Sequence, residues 1–204
     1  MSTNPQFQVY GTSYSGNCYK LKLLLTQLQH TFQWHEIDIL KGESRTAKFL
    51  TMNANGKVPV LQISDDQFIP ESNAALFYLA ENTPFLSSDP YLKAQTLQWM
   101  FFEQYSHEPY IATSRFIVKY LNQREEQADV LQQKREPGYK ALHIMEKHLE
   151  KNDFFVANNY SIADVALFAY THVAEDGDFE LTRFPNILGW IERIKSQENF
   201  IPMI

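Results

Sequence analysis

The sequence predicts an α/β domain of order βαβαββα followed by an all-helical domain, and three observations carry that prediction. Short apolar or alternating runs at Gln6–Tyr10, Thr31–Ile39, Val58–Ile63 and Gln67–Ile69 have strand length and are bounded by turn residues. Helical periodicity falls between and after them, at Asn17–Gln29, over a short segment ending near Met52, and beyond Pro70-Glu71-Ser72-Asn73. From Tyr91 onward strand signal all but vanishes. Thr83–Pro90 (Thr-Pro-Phe-Leu-Ser-Ser-Asp-Pro) is polar and bracketed by prolines, so the expected division is a first domain over 1–82, a linker over 83–90 and a helical domain over 91–204.

Each element has a local reason. The first helix carries Leu21, Leu24, Leu25 and Leu28 at helical spacing after the polar loop Thr12-Ser13-Tyr14-Ser15-Gly16. The second strand alternates Phe32, Trp34, Ile37 and Ile39, and Ser44 is placed to cap the short helix that follows Lys41-Gly42-Glu43. Pro59 opens the third strand because a proline cannot donate to a ladder and belongs at a strand start or edge. A cis bond there would turn the backbone of Val58 outward, toward an extended partner; an ordinary trans loop proline is the alternative. In the second half, helices are expected at Leu92–Asn122 with a bend at Pro109, at Glu125–Asn152 with a break or kink at Pro137-Gly138, at Asn159–Ala174 and at Pro185–Ser196. Ser161-Ile162-Ala163-Asp164 has the form of a capping box, in which hydroxyl and carboxylate each satisfy a backbone N–H at the helix start, with Tyr160 and Val165 at the staple positions. Its expected role is structural.

Composition excludes several classes. With 204 residues, 44% hydrophobic and 21% charged, the chain can bury an ordinary core. A net charge of −6 without a long basic run argues against nucleic acid. The start Met-Ser-Thr-Asn-Pro-Gln lacks the basic and apolar regions of a leader, no stretch approaches membrane-spanning length, and the expected location is the cytoplasm. One cysteine excludes an intramolecular disulfide and any multi-Cys metal site. His30/His35 and His143/His148 are five apart, a poor fit to one helix face, so no metal is expected.

The first strand, its loop and the helix start near Asn17 bring hydroxyls and unpaired N–H groups to the positive end of a helix dipole, which makes an anion receptor. Together with Val58-Pro59 at the third strand, Pro70-Glu71-Ser72 at the third helix and Ser161-x-x-Asp164 in the helical half, this arrangement resembles the cytosolic glutathione transferase family over essentially the whole chain. That resemblance implies a thioredoxin-like N-terminal domain with a mixed four-stranded sheet, an all-helical C-terminal domain, glutathione as co-substrate, a homodimer, and a detoxification role in which a thiolate is conjugated to small electrophiles or reduces peroxides or disulfides. The stretch Ser15-Gly16-Asn17-Cys18 is most similar to a bacterial, serine/asparagine-type branch.

The resemblance carries over residue by residue. Ser15 is the expected hydroxyl partner of the glutathione sulfur and Asn17 the second, with Tyr14, Ser13 and Thr12 as competitors. Val58 matches the position whose backbone pairs with the cysteine of glutathione, while Glu71 and Ser72 match the pair that holds the γ-glutamyl ammonium and carboxylate; the alternative for that pair is an ordinary helix cap. Lys57 matches the site that supports the backbone or glycine end of glutathione, and Arg45 is placed to meet the glycine carboxylate. For the electrophile, Ile111, Arg115 and Phe116 on the long helix are candidates, in a pocket expected beside the first domain; a core Phe116 and a surface or dimer-interface Arg115 are the alternative. Trp99-Met100-Phe101-Phe102 reads as core and dimer contact. Cys18 reads as a small hydrophobe rather than a redox thiol, since Ser15 stands where the first thiol of a Cys-x-x-Cys would be. A binding or scaffold protein that kept the fold, and a glutathione-dependent isomerase or dehalogenase, are the rival readings.

Overall fold

The computed structural model describes residues 6–203. The segment read for a leader lies outside them but for Gln6. The chain divides into two compact units, one holding the residues up to Glu81 together with the tail from Glu198, the other Asn82–Gln197.

The first unit is a four-stranded sheet of order β2-β1-β3-β4, with β1 Phe7–Gly11, β2 Phe32–Glu36, β3 Val60–Ser64 and β4 Gln67–Pro70. β1 and β2 are parallel, which requires a crossover, and helix α1 (Gly16–Gln27) supplies it. β3 runs antiparallel to β1, and β4 to β3. Val9 sits opposite both Trp34 and Leu61, and Val9 and Leu61 are fully buried. Pro70 is tolerated inside β4 because β4 is an edge strand. α1 buries Leu21, Leu24 and Leu25, and helix α3 (Ser72–Ala80) buries Leu76 and Leu79; α1 and α3 lie against each other. Each such leucine contributes roughly 1.5–3 kcal/mol on burial. The tail returns to this unit, where the Tyr19 hydroxyl donates to the Ile201 carbonyl at 2.7 Å.

The short helix α2 covers Ala47–Met52, and its cap differs from the expected one. Ser44 lies buried in a single 3-10 turn, and Thr46 caps α2 by accepting from the Phe49 N–H at 3.3 Å. The second strand also stops at Glu36, short of Ile39.

In the second unit the long helical run is confirmed as helix α4 (Pro90–Phe102), a wide turn over Glu103–His107, helix α5 (Glu108–Arg115) and a second wide turn over Phe116–Tyr120. Pro109 has no N–H to give to the preceding turn, and the widened segment just before it absorbs the irregularity. Helix α6 (Ala128–Leu149) is continuous through Pro137-Gly138, so of the expected break or kink the break does not occur. Gly138 serves packing instead: a Cβ there would fall 2.4 Å from the Phe179 ring, which Tyr139 meets edge-on. The expected linker belongs to this unit, since Phe85 accepts from the Ile162 N–H at 3.0 Å and Leu86 is buried.

Helix α7 (Ile162–Thr171) is buried along its whole length and opens with the expected capping box. Asp164 accepts from the Ser161 N–H and hydroxyl, the Phe155 N–H and the Trp190 indole at 2.9–3.1 Å, tying α7 to helix α8 (Pro185–Lys195). Burial pushes its carboxyl up to about 6, against the pull of those donors. Among the described residues no helix is long and apolar enough to cross a membrane.

His172, just past α7, stacks on Phe168 at 4.2 Å with its Nδ1 2.7 Å from the Phe168 carbonyl, so Nδ1 carries the proton. Burial pulls its pKa from 6.5 down to about 4. A depressed histidine contributes stability that is fully present above pH 6.5 and is lost as pH falls toward 4, because only the unfolded chain takes up the proton in that window. Urea titrations at several pH values should show His172→Phe free of this acid-side loss, which in the native chain reaches up to about 3 kcal/mol.

Candidate functional site

Two helix starts meet in the first unit. α1 is capped by Ser15, whose backbone is extended and whose Oγ accepts from the Cys18 N–H at 3.4 Å. The Ser15 side chain is half-exposed, and its hydroxyl also lies in hydrogen-bond reach of the Cys18 sulfur. Of the competing hydroxyls, those of Thr12 and Tyr14 are buried, while Ser13 is exposed and its N–H is held by Glu36 at 2.9 Å. The other Glu36 oxygen accepts from the Trp34 indole at 2.7 Å, so β2 pins the loop that leads into Ser15.

At the start of α3, Glu71 is exposed and Ser72 is buried. Ser72 donates to the Asn17 side-chain oxygen at 3.3 Å, which joins the two helix starts. Below them lies Lys20, fully buried, with its ammonium donating to Ser72 Oγ at 3.4 Å and to Asn73 Oδ1 at 3.2 Å. Sequence reasoning gave Lys20 no role. The available signal was its place in the buried stripe, one turn from Gly16 and from Leu24.

The third contributor is the loop before β3, where Val58–Pro59 is cis. Among the described residues the Val58 N–H and carbonyl have no partner. Asn53, a second residue the sequence did not single out, organises this loop: its Nδ2 donates to the Lys57 carbonyl at 2.8 Å and its Oδ1 accepts from the Asn55 N–H at 3.0 Å. Arg45 donates to the Asn55 carbonyl at 2.9 Å and lies over Gly56, where a Cβ would meet its guanidinium at 2.6 Å. The Lys57 side chain is exposed. The structure therefore gathers Ser15, Asn17, Arg45, Lys57, Val58, Glu71 and Ser72 in one unit.

The electrophile candidates sit elsewhere, in the second unit. Ile111 is fully buried, and Phe116 is half-buried within 6.3 Å of the Tyr120 ring. Arg115 is buried and engaged with Asp176 at 2.9 Å and with the Tyr120 hydroxyl at 2.7 Å. Trp99 and Met100 are core, while Phe101 is 67% exposed. Cys18 is fully buried, and loss of hydration pushes its thiol up to about 12, so it holds no thiolate at neutral pH.

Two family profiles match the chain: "Glutathione S-transferase, N-terminal domain" over residues 14–82 and "Glutathione S-transferase, C-terminal domain" over 99–198. The chain belongs to the glutathione S-transferase family. A glutathione S-transferase structure from Pseudomonas fluorescens Pf-5 is 49% identical, covers 98% of this chain and 99% of its own, and superposes with a TM-score of 0.96. A possible glutathione S-transferase from Rhodopseudomonas palustris is 42% identical over 97% of this chain and 89% of its own, with a TM-score of 0.94. The disulfide-bond oxidoreductase YfcG of Escherichia coli is 27% identical, covering 89% of this chain and 86% of that protein.

Within this transferase fold Glu71 has an unusual backbone. Its φ of 68° and ψ of 111° lie in a region that disfavours side-chain-bearing residues, at a cost of about 1–3 kcal/mol. Pro70, paired with Val60 in the sheet, and Ser72, buried on the other side, hold it there. Glu71→Gly should therefore leave stability unchanged or raise it by up to about 1 kcal/mol in chemical denaturation, an unusual result for an exposed helix-cap residue.

Proposed function

We propose that this chain is a serine/asparagine-type glutathione transferase that stabilises the glutathione thiolate for attack on small electrophiles. The observation that carries the reading is the meeting of two helix starts through the Asn17–Ser72 bond, with Ser15 and Glu71 accessible at their caps. Ser15, half-exposed at the α1 cap, would turn its hydroxyl to the sulfur, the α1 terminus adds its dipole, and Val58 offers a backbone pair to the cysteine of the peptide. Ser72 with its helix N–H groups suits the γ-glutamyl carboxylate, and Glu71 suits the ammonium. Lys57 is proposed at the glycine end. Arg45 acts there through the loop it holds, with a direct contact to the glycine carboxylate as the stronger form of the same assignment.

The energetics close on modest terms. A free thiol has a pKa near ~8.5, and lowering it by about two units needs ~2.7 kcal/mol. One hydrogen bond to a charged acceptor supplies roughly 1.5–3 kcal/mol. A helix terminus supplies up to about 2 kcal/mol. No metal takes part in this scheme. For the electrophile, Ile111 and Arg115 act as supports for the helix surface rather than as contacts, and Phe116 is the one of the three with exposed area to offer.

Reduction of disulfides is a second outcome for the same thiolate, favoured by the likeness to YfcG. With Cys18 buried, the attacking sulfur would belong to glutathione and not to the protein. The proposed setting is the cytoplasm, and the proposed assembly is a homodimer. Tyr91, Phe101 and Tyr105 are 70%, 67% and 85% exposed on one side of the α4 segment, an aromatic face suited to a second copy. Sedimentation equilibrium should give twice the 23.9 kDa chain mass.

Calorimetric titration with glutathione tests the site, and the thiolate absorbance of the complex against pH tests the chemistry. Ser15→Ala should raise the bound thiol's pKa by about one to two units, with a smaller rise for Asn17→Ala. No binding would remove the site, and a rise with Asn17→Ala alone would transfer the sulfur to Asn17.

A further inference from the structure

Asn55-Gly56 is the single Asn-Gly pair in the chain, and it lies in the loop between α2 and β3. An asparagine amide is thermally labile, and a following glycine, having no Cβ, leaves the backbone nitrogen beside that amide unshielded. The fold dictates the glycine. Gly56 has a φ of 62°, and a Cβ on it would fall 2.6 Å from the Arg45 guanidinium and 2.9 Å from the Ser44 carbonyl oxygen. Asn55 carries neither restriction. It is exposed, its backbone is not left-handed, and among the described residues its side-chain amide has no hydrogen-bond partner.

Two bonds act on the peptide unit that joins the pair. Arg45 donates to the Asn55 carbonyl oxygen at 2.9 Å, and the Gly56 N–H donates to the Asn53 carbonyl at 2.9 Å. That carbonyl oxygen and that N–H belong to one amide, so the negative charge left by loss of the Gly56 proton spreads onto the oxygen that the guanidinium holds. A cationic donor fixed at a developing oxyanion is stronger than a bond between neutral groups, so the gain at Arg45 outweighs the loss at Asn53.

We propose that Asn55 is a site of spontaneous modification: the Gly56 nitrogen, with Arg45 stabilising the anion formed on the joining amide, closes on the Asn55 side chain and converts it through a succinimide into aspartyl and isoaspartyl forms. Hydroxide takes the Gly56 proton. The nitrogen then bonds to Asn55 Cγ, and the side-chain nitrogen leaves as ammonia with a proton from solvent. Water opens the ring at one carbonyl or the other. One opening leaves an ordinary aspartate; the other leaves a backbone that runs through Cβ and Cγ and is longer by a carbon. The balance is amide plus water to carboxylic acid plus ammonia, with nothing oxidised or reduced. Either product puts a carboxylate close to Arg45 and Lys57, and the longer one also displaces the chain leading to Val58. The consequence for a ligand rests on the glutathione reading above, in which those two cations serve the glycine end: both products weaken binding.

The native chain, Arg45→Met and Asn55→Ser are aged in mildly alkaline buffer, and samples are mapped by peptide mass spectrometry with fragmentation that separates aspartyl from isoaspartyl linkages. In the native chain Asn55 should convert before any other asparagine, and a folded Arg45→Met should convert about tenfold more slowly or less. Calorimetry on the same samples should show glutathione affinity falling about fivefold as the native chain converts, while Asn55→Ser holds its affinity over the same period. Retention of the Asn55 amide in the folded native chain, while the urea-unfolded chain converts, would overturn the proposal whether or not either variant folds. Equal or faster conversion in folded Arg45→Met would overturn it as well, and full conversion with unchanged affinity would overturn its effect on binding. Failure of the fresh native chain to bind glutathione would instead remove the site reading, and the modification would then stand or fall on the peptide maps alone.

Discussion

The first unit depends on a bond that is not part of its sheet: the buried link from Lys20 and Asn17 on α1 to Ser72 and Asn73 on α3. Apolar packing of Leu21, Leu24, Leu76 and Leu79 brings the two helices together but sets their relative height only loosely. Directional bonds between their first turns fix it. A shift of one helix along the other by a single residue rise, about 1.5 Å, would break them. Two helix termini are therefore presented at one level, and the loop carrying Val58 is presented by a separate set of bonds from Asn53 and Arg45.

The second unit uses carboxylates in the same organising way. Asp164 gathers four donors from three segments of chain, and Asp176 gathers Arg115 and Lys119. Partial burial works to raise the Asp176 carboxyl, but the hydrogen bonds from Lys119 and Arg115 outweigh it and hold the group below the usual range. Asp178 pairs with Arg124 and with Arg135, whose guanidinium also reaches the Asp178 carbonyl and lies over the Phe179 ring. Arg115 is consumed by this work, which is why a cation that looked available to a substrate faces a carboxylate instead.

What was legible in the sequence was whatever leaves a periodic or chemical mark. The βαβαββα order and the Ser161–Asp164 box follow from patterns of short range and are present, while the first helix opens at Gly16, one residue before Asn17, and the third strand opens at Val60, just past Pro59. Ser44 and Thr46 are both good caps two residues apart, and only the backbone turn at Glu43–Arg45 decides between them. Pro137-Gly138 carries a breaker signal that tertiary packing overrides, because Phe179 fills the space above the glycine. Lys20 escaped attention since a lysine in an apolar stripe looks like an error of phase until its acceptors on another helix are known. The positive φ of Glu71 is set by its neighbours and leaves no trace in its own identity. The elements were therefore largely foreseen, while the partners that hold their side chains in place were not.

The single cysteine has a bearing on durability. Cys18 lies beneath Gly11, where even an added methyl carbon would press to 3.0 Å from its sulfur, and it receives the Thr12 N–H. In a protein that handles reactive carbon or peroxide beside a borrowed sulfur, any accessible thiol of its own would be consumed first. Under the proposed chemistry, sealing Cys18 beneath the strand end would leave the visiting peptide as the sacrificial nucleophile, so that damage would depart with the product and spare the polypeptide.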